Sequence, residues 1–386
     1  MRPAALLFLF SNTINPTLAQ QWAPTSAPTN YWSCLASSAD GTKLIAGLSP
    51  GPIYTSTNSG ATWTPGNLSL GWSSLASSAD GTKLVALVQS ASIYTSTNGG
   101  ASWTPTNPVP GASWRSIASS ADGQTLVAAW TGGIEISTNS GATWAPTAAP
   151  AAAWGPIACS ADGTTLVSGI IPSTHPFLSA STNSGLTWSS NSIPFYCTGV
   201  ACSADGTTMA ATILGGGIFV STNSGTAWTL TSAPTRGWRS IACSADGAKL
   251  IAAANSGSAG SGQIWTSTNS GSTWLSNNVP GEVWDAVATS ADGGKSAAVA
   301  ANLGAVTGPI FTSDTAPLPR LNLEASNNKL LISWLVPSIN FQLQQSSNLS
   351  SWLDVTNVPT LNLTNLQDQI TLSPSNSSGF FRLSTP

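Results

Sequence analysis

Charge is what this chain has least of. Of its 386 residues only 6% are Asp, Glu, Lys or Arg, against about 25% in an ordinary soluble domain. Ser, Thr, Asn and Gly must carry solvation instead. The net charge is −3, and no stripe of Lys and Arg is present to displace counterions from phosphates, which argues against nucleic acid as a partner. There is one histidine, His175, and no Cys-x-x-Cys pair among five cysteines. A metal site is therefore not expected, and no cofactor is implied. No apolar run approaches the roughly 20 residues that span a bilayer. Residues 1–19 read as a secretory signal, with Arg2 at the positive end, a short apolar run at Ala4–Phe10 and small residues up to Ala19. An exported protein, secreted or held at the cell surface, is the expectation.

Repetition is abundant. One eight-residue phrase, Ser-Thr-Asn-Ser-Gly-Ala-Thr-Trp at Ser56–Trp63, returns at Ser96–Trp103, Ser137–Trp144, Ser181–Trp188, Ser221–Trp228 and Ser267–Trp274. A second phrase, Ser-Ala-Asp-Gly, alternates with it. Its aspartates are Asp40, Asp80, Asp122, Asp162, Asp205, Asp246 and Asp292. Their spacing of 40 to 46 residues, with several short strands in each unit, is the period of propeller blades.

Each unit parses into four strands. Strand a runs from an aromatic to Ser-Ala-Asp-Gly, as in Trp72–Ser77. Asp-Gly is expected to supply the positive φ angles of a tight hairpin into strand b. Strand c is exemplified by Ile93–Ser96, and the Asn-containing turn leads to strand d. Simple alternation along strand a puts Leu35, Leu75, Ile117, Ile157, Val200, Ile241 and Val287 on one face. Trp32, Trp72, Trp114, Trp154, Tyr196, Trp238 and Trp284 then start the other face. Cys159, Cys202 and Cys243 share a slot with Ser37, Ser77, Ser119 and Thr289, so they read as small buried thiols; a Cys197–Cys202 bridge, or one to Cys34, stays open.

Seven strand-a units accompany only six intact eight-residue phrases. The seventh stops at Ile310–Asp314, while Gln21-Trp22-Ala23-Pro24 at the other end of the chain matches strand d. The N-terminal strand should complete the last blade and remove the open edge. The expected fold is all-β: a seven-bladed β-propeller over 20–315, a linker at 316–319 and a small C-terminal β-module, sandwich-like, over 320–386.

The Ser-x-Asx-x-Gly-x-x-Trp phrase resembles the Asp-box, or BNR, repeat of sialidase-like propellers over about residues 20–314. That superfamily includes sialidases, sortilin-type receptors, glycan-acting enzymes and a photosystem II assembly factor-like group. The resemblance implies a propeller and leaves function open. Here Asn stands for the usual Asp at Asn58, Asn98, Asn139, Asn183, Asn223 and Asn269. An Asx side chain in a turn accepts a backbone N–H two residues on without needing charge. These six are read as structural turn residues, not as ligands.

Chemistry can be sought by enumeration. Outside the turn aspartates the propeller holds Glu135, Glu282, Asp285 and Asp314, with Arg115, Arg236 and Arg239. The lysines near the Asp-Gly turns, Lys43, Lys83, Lys249 and Lys295, read as solvated. The three arginines and the Tyr–Glu pair that the resemblance to sialidases implies are not matched: Arg236 and Arg239 share one junction, and no such Tyr–Glu pair is evident. Glu282 and Asp285 are the one plausible pair for glycoside hydrolysis. His175 lies in a loop with no Gly-x-Ser-x-Gly elbow. No catalytic residue is assigned.

The a–b and c–d turns barely vary between units, whereas the b–c and d–a loops vary strongly. A constant face opposite a variable one points to binding on the variable face. Arg115, Arg236, Arg239, Glu282, Asp285, His175 and Trp130 map there. The expected function is non-catalytic binding of a protein or glycan by a monomer. The alternatives are a glycoside hydrolase or lyase of the same superfamily and a structural cell-surface protein. In the C-terminal module Trp334 and Trp352 are expected in the core, and Asn67, Asn348, Asn362 and Asn376 are sequon asparagines.

Overall fold

The computed structural model describes residues 20–89, 92–171, 176–255, 262–300, 307–315, 321–326, 329–336, 341–347, 351–372 and 380–384. Turn phrases every forty-odd residues leave room for only short strands between them, and short antiparallel strands are what form. The first unit is Trp32–Ser37, Leu44–Leu48, Gly51–Ser56 and Thr64–Leu70; the second is Trp72–Ser77, Leu84–Val88, Ile93–Ser96 and Thr104–Thr106. The third is Trp114–Ser119, Leu126–Trp130, Gly133–Ser137 and Ala145–Pro146; the fourth is Trp154–Cys159, Leu166–Ile170, Phe177–Ser181 and Ser189–Ser192. The fifth is Cys197–Cys202, Met209–Gly216, Ile218–Ser221 and Thr229–Leu230; the sixth is Arg236–Cys243, Leu250–Ala254, Gln263–Ser267 and Leu275–Ser276. The seventh joins Trp284–Thr289, Lys295–Ala300 and Ile310–Asp314 to Ala23–Pro24, with Ala23 facing Thr312 and Pro24 facing Phe311. The N-terminal strand thus completes the last sheet, as the register of Trp22 predicts.

The inner strands touch in cyclic order, the first against both the second and the seventh. Their far ends are tied by a closed ring of backbone hydrogen bonds. Ala39 donates to Ala79, Ala79 to Ala121, Ala121 to Ala161, Ala161 to Ala204, Ala204 to Ala245, Ala245 to Ala291 and Ala291 back to Ala39, each at 2.7–2.9 Å. The alanines of Ser-Ala-Asp-Gly are therefore more than turn residues. A small side chain lets neighbouring backbones approach, and the ring satisfies groups that burial would otherwise strand. The lysines are not simply solvated: Lys43 Nζ donates to the Asp80 carbonyl at 2.6 Å, and Lys83 and Lys249 repeat the bridge to Asp122 and Asp292 at 2.9 Å.

The hairpins depart from expectation in detail. At Ser-Ala-Asp-Gly only the glycine has positive φ, as at Gly41 (68°). The loop is wider than a two-residue turn, with Ser38 N–H donating to the Lys43 carbonyl, and Asp40 Oδ1 accepts both the Ser38 hydroxyl and the Thr42 N–H. In the eight-residue phrase Asn58 Oδ1 accepts the Thr62 N–H four residues on, at 2.8 Å, not two. Its Nδ2 donates to Thr62 Oγ1 at 2.9 Å, and Ser56 Oγ accepts the Gly60 N–H at 2.9 Å. Five units share this Asn Nδ2 bond; in the fifth unit Ala227 stands where the hydroxyl would be, and Asn223 Oδ1 still accepts the Ala227 N–H and the Ser221 hydroxyl. The residue before the glycine, such as Ser59 (56°), is also left-handed.

The alternation expected along the inner strands is broken by a β-bulge at each strand's start. Trp32 faces Leu48 while Cys34 faces Gly47, so Ser33 is an inserted residue, and the same shift recurs in every unit. One extra residue turns the following side chains to the opposite face. Trp32 and Leu35 consequently share one core cluster, as do Trp72 with Leu75 and Trp238 with Ile241. The inner-strand tryptophans are fully buried between units, and several meet a second aromatic edge-on, Trp32 with Tyr54 at 5.2 Å and Trp284 with Phe311 at 5.5 Å. Such pairs contribute about 0.5–1.5 kcal/mol beyond area burial. In the fifth unit the expected start at Tyr196 is off by one: Cys197 holds the tryptophan position, facing Ile213, and Tyr196, just before the strand, is 37% exposed.

The five cysteines are free thiols, and burial pushes the Cys159 and Cys197 thiols up to about 12. Beyond residue 320, the strands Asn322–Ser326, Lys329–Leu335, Gln367–Leu372 and Thr360–Asn362 form one sheet and Leu353–Asp354, Gln342–Ser346 and Phe380–Ser384 another. They share a core of Ile332, Trp334, Leu343, Val355 and Ile370. Trp352 is not in it; its half-buried ring lies under the Arg382 guanidinium at 4.2 Å. Leu335, Val336 and Leu366 pack against the ring of alanines. Residues 1–19, the linker 316–319, His175, Asn348 and Asn376 lie outside the described residues. Among those described, no helix is long and apolar enough to cross a membrane.

Candidate functional site

A bulge lifts one side chain out of the ladder and re-aims it. With one bulge at the start of every inner strand, the lifted residues come to a common rim. They are Ser33, Ser73, Arg115, Gly155, Thr198, Arg239 and Asp285, each following the residue at which the bulge begins, a tryptophan in six units and Cys197 in the fifth, and all seven line one cavity of about 540 Å³ between the inner strands. The alanine ring lies at the other end of the same strands.

Around this rim the chemistry is asymmetric. Arg115 and Arg239 are exposed. Between them, on the fourth and fifth units, Ile171, Tyr196 and Leu214 line the cavity, with Leu214 43% exposed. Leu214 is held up by its own N–H donating to the Tyr196 carbonyl at 2.9 Å, and by a crossing ladder in which Leu214 faces Gly237 and Gly216 faces Arg236. That ladder fuses the fifth and sixth units at the mouth. Past Arg239 the rim turns acidic at Asp285. Burial raises the Asp285 carboxyl above its ordinary range, and the neighbouring Arg239 charge pulls it back in part. Beside it the Cys34 thiol is pushed by burial to about 12, against a hydrogen bond from Ser33. Cys34 is therefore not a thiolate nucleophile at neutral pH.

Of the residues expected at a binding face, Arg115, Arg239 and Asp285 are brought together. Arg236 is exposed at the head of its strand but does not line the cavity, and neither does Glu282. The proposed carboxylate pair, Glu282 with Asp285, is thus not assembled there. Trp130 is no open platform: it packs against Trp114 with centroids 6.5 Å apart, in a core cluster with Trp144. Its ring also lies where a side chain on Gly132 would be, 2.3 Å from the Cβ position. Thr198, Ile171 and Leu214 were not singled out from sequence. Counting from Tyr196 points to Cys197 and so hides Thr198, while Ile171 and Leu214 lie outside the inner strands and carry no such signal. Among the described residues no group of three or more His, Cys, Asp or Glu is arranged to hold a metal ion.

No protein-family model and no curated protein sequence matches the chain. Solved structures do. The chain is similar to YCF48 from Cyanidioschyzon merolae, with TM-score 0.59 and 15% identity over 77% of this chain and 99% of that one. It is similar to YCF48 bound to D1 peptide, with TM-score 0.57 and 15% identity over 78% and 98%. It is also similar to the RRP9 WD40 repeats, with TM-score 0.61 and 11% identity over 77% and 99%. At such identities the common property is the fold, a β-propeller.

Proposed function

We propose that this chain is an exported, seven-bladed β-propeller of the Asp-box type, with Asn in place of Asp, that binds an extended protein segment at its bulge-lined mouth without catalysis. The observation that carries this reading is the convergence of Arg115, Arg239, Tyr196, Leu214 and Asp285 on one cavity. Two guanidiniums flanking an apolar strip suit a segment in which an aliphatic or aromatic side chain lies beside a carboxylate. Arginine binds carboxylate in a planar two-bond geometry, while the strip supplies non-directional burial. A similarly folded protein, YCF48, has been solved bound to D1 peptide, which supports a peptide as the class of ligand.

On this reading 1–19 is removed on export, 20–315 carries the site, and the module after the linker rests on the alanine ring at the far end. A peptide pull-down and a glycan array with the purified chain, repeated with Arg115→Ala and Arg239→Ala, test it. Peptide capture lost in both variants is expected. Glycan capture that is insensitive to both substitutions would assign a different ligand and a different site.

A further inference from the structure

The outer strands do not all end alike. In the seventh, first, second and third units the outermost strand carries a proline at one register position: Pro24 opposite Phe311, Pro65 opposite Tyr54, Pro105 opposite Tyr94 and Pro146 opposite Glu135. The next residue turns its N–H inward, as Thr147 does to the Ile134 carbonyl at 2.9 Å and Thr25 to Ile310 at 2.8 Å. Bonding alternates along an antiparallel edge, so the proline stands where an N–H would point away from the sheet. It removes that donor and guards the edge against a further strand.

The fourth, fifth and sixth units lack the guard. Ser190, Leu230 and Ser276 occupy the proline position. The register is unchanged, since Thr231 N–H donates to Ile218 and Asn277 N–H to Ile264 at 2.9 and 2.8 Å. The same three units expose large leucines on their outer clasps and strands: Leu186 at 73%, Leu230 at 57% and Leu275 at 53%. A groove of about 310 Å³ runs beside Leu230, lined also by Val220, Ala227 and Gly271. Missing guard and exposed apolar surface thus coincide on one arc of the circumference.

We infer that this arc, centred on Leu230, is the surface through which two copies of the chain pair edge to edge. Charge decides between occupants. Residues 183–192, 223–232 and 269–277 contain no Lys, Arg, Asp or Glu. A charged partner finds no counter-charge there, whereas a second copy presents an equally neutral edge without repulsion. The outward N–H and C=O of Leu230 are self-complementary about a two-fold axis, so each copy's Leu230 exchanges two hydrogen bonds with the other. The pairing covers the grooves in the same step. This departs from the monomer expected of a closed ring.

Sedimentation of the full chain over a wide concentration range tests the inference, with Leu230→Pro restoring the guard that Pro146 provides in the third unit. Reversible dimers are expected, weakened roughly tenfold or more by Leu230→Pro, with an unchanged circular dichroism spectrum and Tm. Leu230→Lys, which keeps the N–H and adds a gatekeeping charge, serves if the proline variant does not fold. A chain that stays monomeric at every concentration overturns the proposal, and so does a dimer indifferent to the substitution that folds.

Discussion

Tyr54 and Glu135 hold the same place in their sheets: Tyr54 faces Ala46 on the next strand, as Glu135 faces Ala128 two units later. Tyr94, Phe219, Trp265 and Phe311 hold it elsewhere. Tyr54 and Phe311 meet the inner-strand tryptophan edge-on. In the third unit Trp130 packs on that tryptophan instead, and Glu135, opposite Ala128, is left 7% exposed. Burial raises its carboxyl above the ordinary 4.5, with the Trp130 side chain offsetting part of the shift.

A carboxylate with a raised folded-state pKa costs stability when ionised, and the cost fades as pH falls through that raised value. Glu135→Gln is therefore expected to raise Tm at neutral pH. The difference from the parent should shrink on acidification and disappear below the ordinary Glu pKa. Paired thermal melts across pH measure this; an equal gap at every pH would show that the carboxylate is not desolvated.

The turn aspartates predict the opposite limb. Partial burial alone would raise Asp80, but the Ser78 and Thr82 hydrogen bonds outweigh it and leave its pKa below the usual 3.8; Asp40, Asp162 and Asp205 are lowered in the same way. Their stabilisation is fully present above the unfolded-state pKa and is lost as pH falls from there through the lowered folded values. Asp80→Asn should destabilise the chain at neutral pH and make its acid unfolding less steep. Stability-versus-pH curves of the two proteins that run parallel below pH 4 would exclude that role.

The clasp makes a local prediction. Gly141 has φ of 88°, and a Cβ there would lie 2.7 Å from Thr95 Cγ2. Gly141→Ala should cost about 1–3 kcal/mol. Ser140, at φ 57°, pays left-handed strain that Gly99 avoids at the equivalent site of the second unit. Ser140→Gly should be neutral or stabilising by up to about 1 kcal/mol, since relieved strain competes with glycine's entropy. Denaturant midpoints rank the two variants; the reverse order contradicts the geometry.

The ring closes without a full clasp at its seam. Ser313 aligns with Ser56, but Thr315 stands where Asn58 would be, and the buried Ser313 hydroxyl has no partner. The seventh sheet relies on the short strand Ala23–Pro24. Deleting residues 20–25 should lower Tm by far more than deleting an exposed loop of equal length; an unchanged Tm would count against closure by this strand.

Strand order, the position of the clasps and the closing strand at Trp22 were legible because each unit repeats the same phrases in the same order. The site was legible only as a face. Counting two residues per repeat along Trp32-Ser33-Cys34-Leu35 puts Trp32 and Leu35 on opposite sides, and no propensity marks Ser33 as inserted. The bulge becomes visible only through pairing with Leu48 and Gly47. It is also what brings Arg115, Arg239 and Asp285, scattered in sequence, onto one rim. The alanine ring was hidden for a different reason: Ser-Ala-Asp-Gly looks complete as a turn, and its partner is a copy of itself some forty residues away.

Binding of a protein segment at the rim through Arg115 and Arg239 is the proposal on which the function rests. Its most direct test is selection of a displayed random-peptide library on the immobilised chain, followed by titration of the enriched peptides against the parent, Arg115→Ala, Arg239→Ala and Leu230→Pro. Peptides with an apolar residue beside a carboxylate are expected, bound at least roughly tenfold more weakly by each arginine variant and equally well by Leu230→Pro. Enriched peptides that bind all four proteins alike would contradict it.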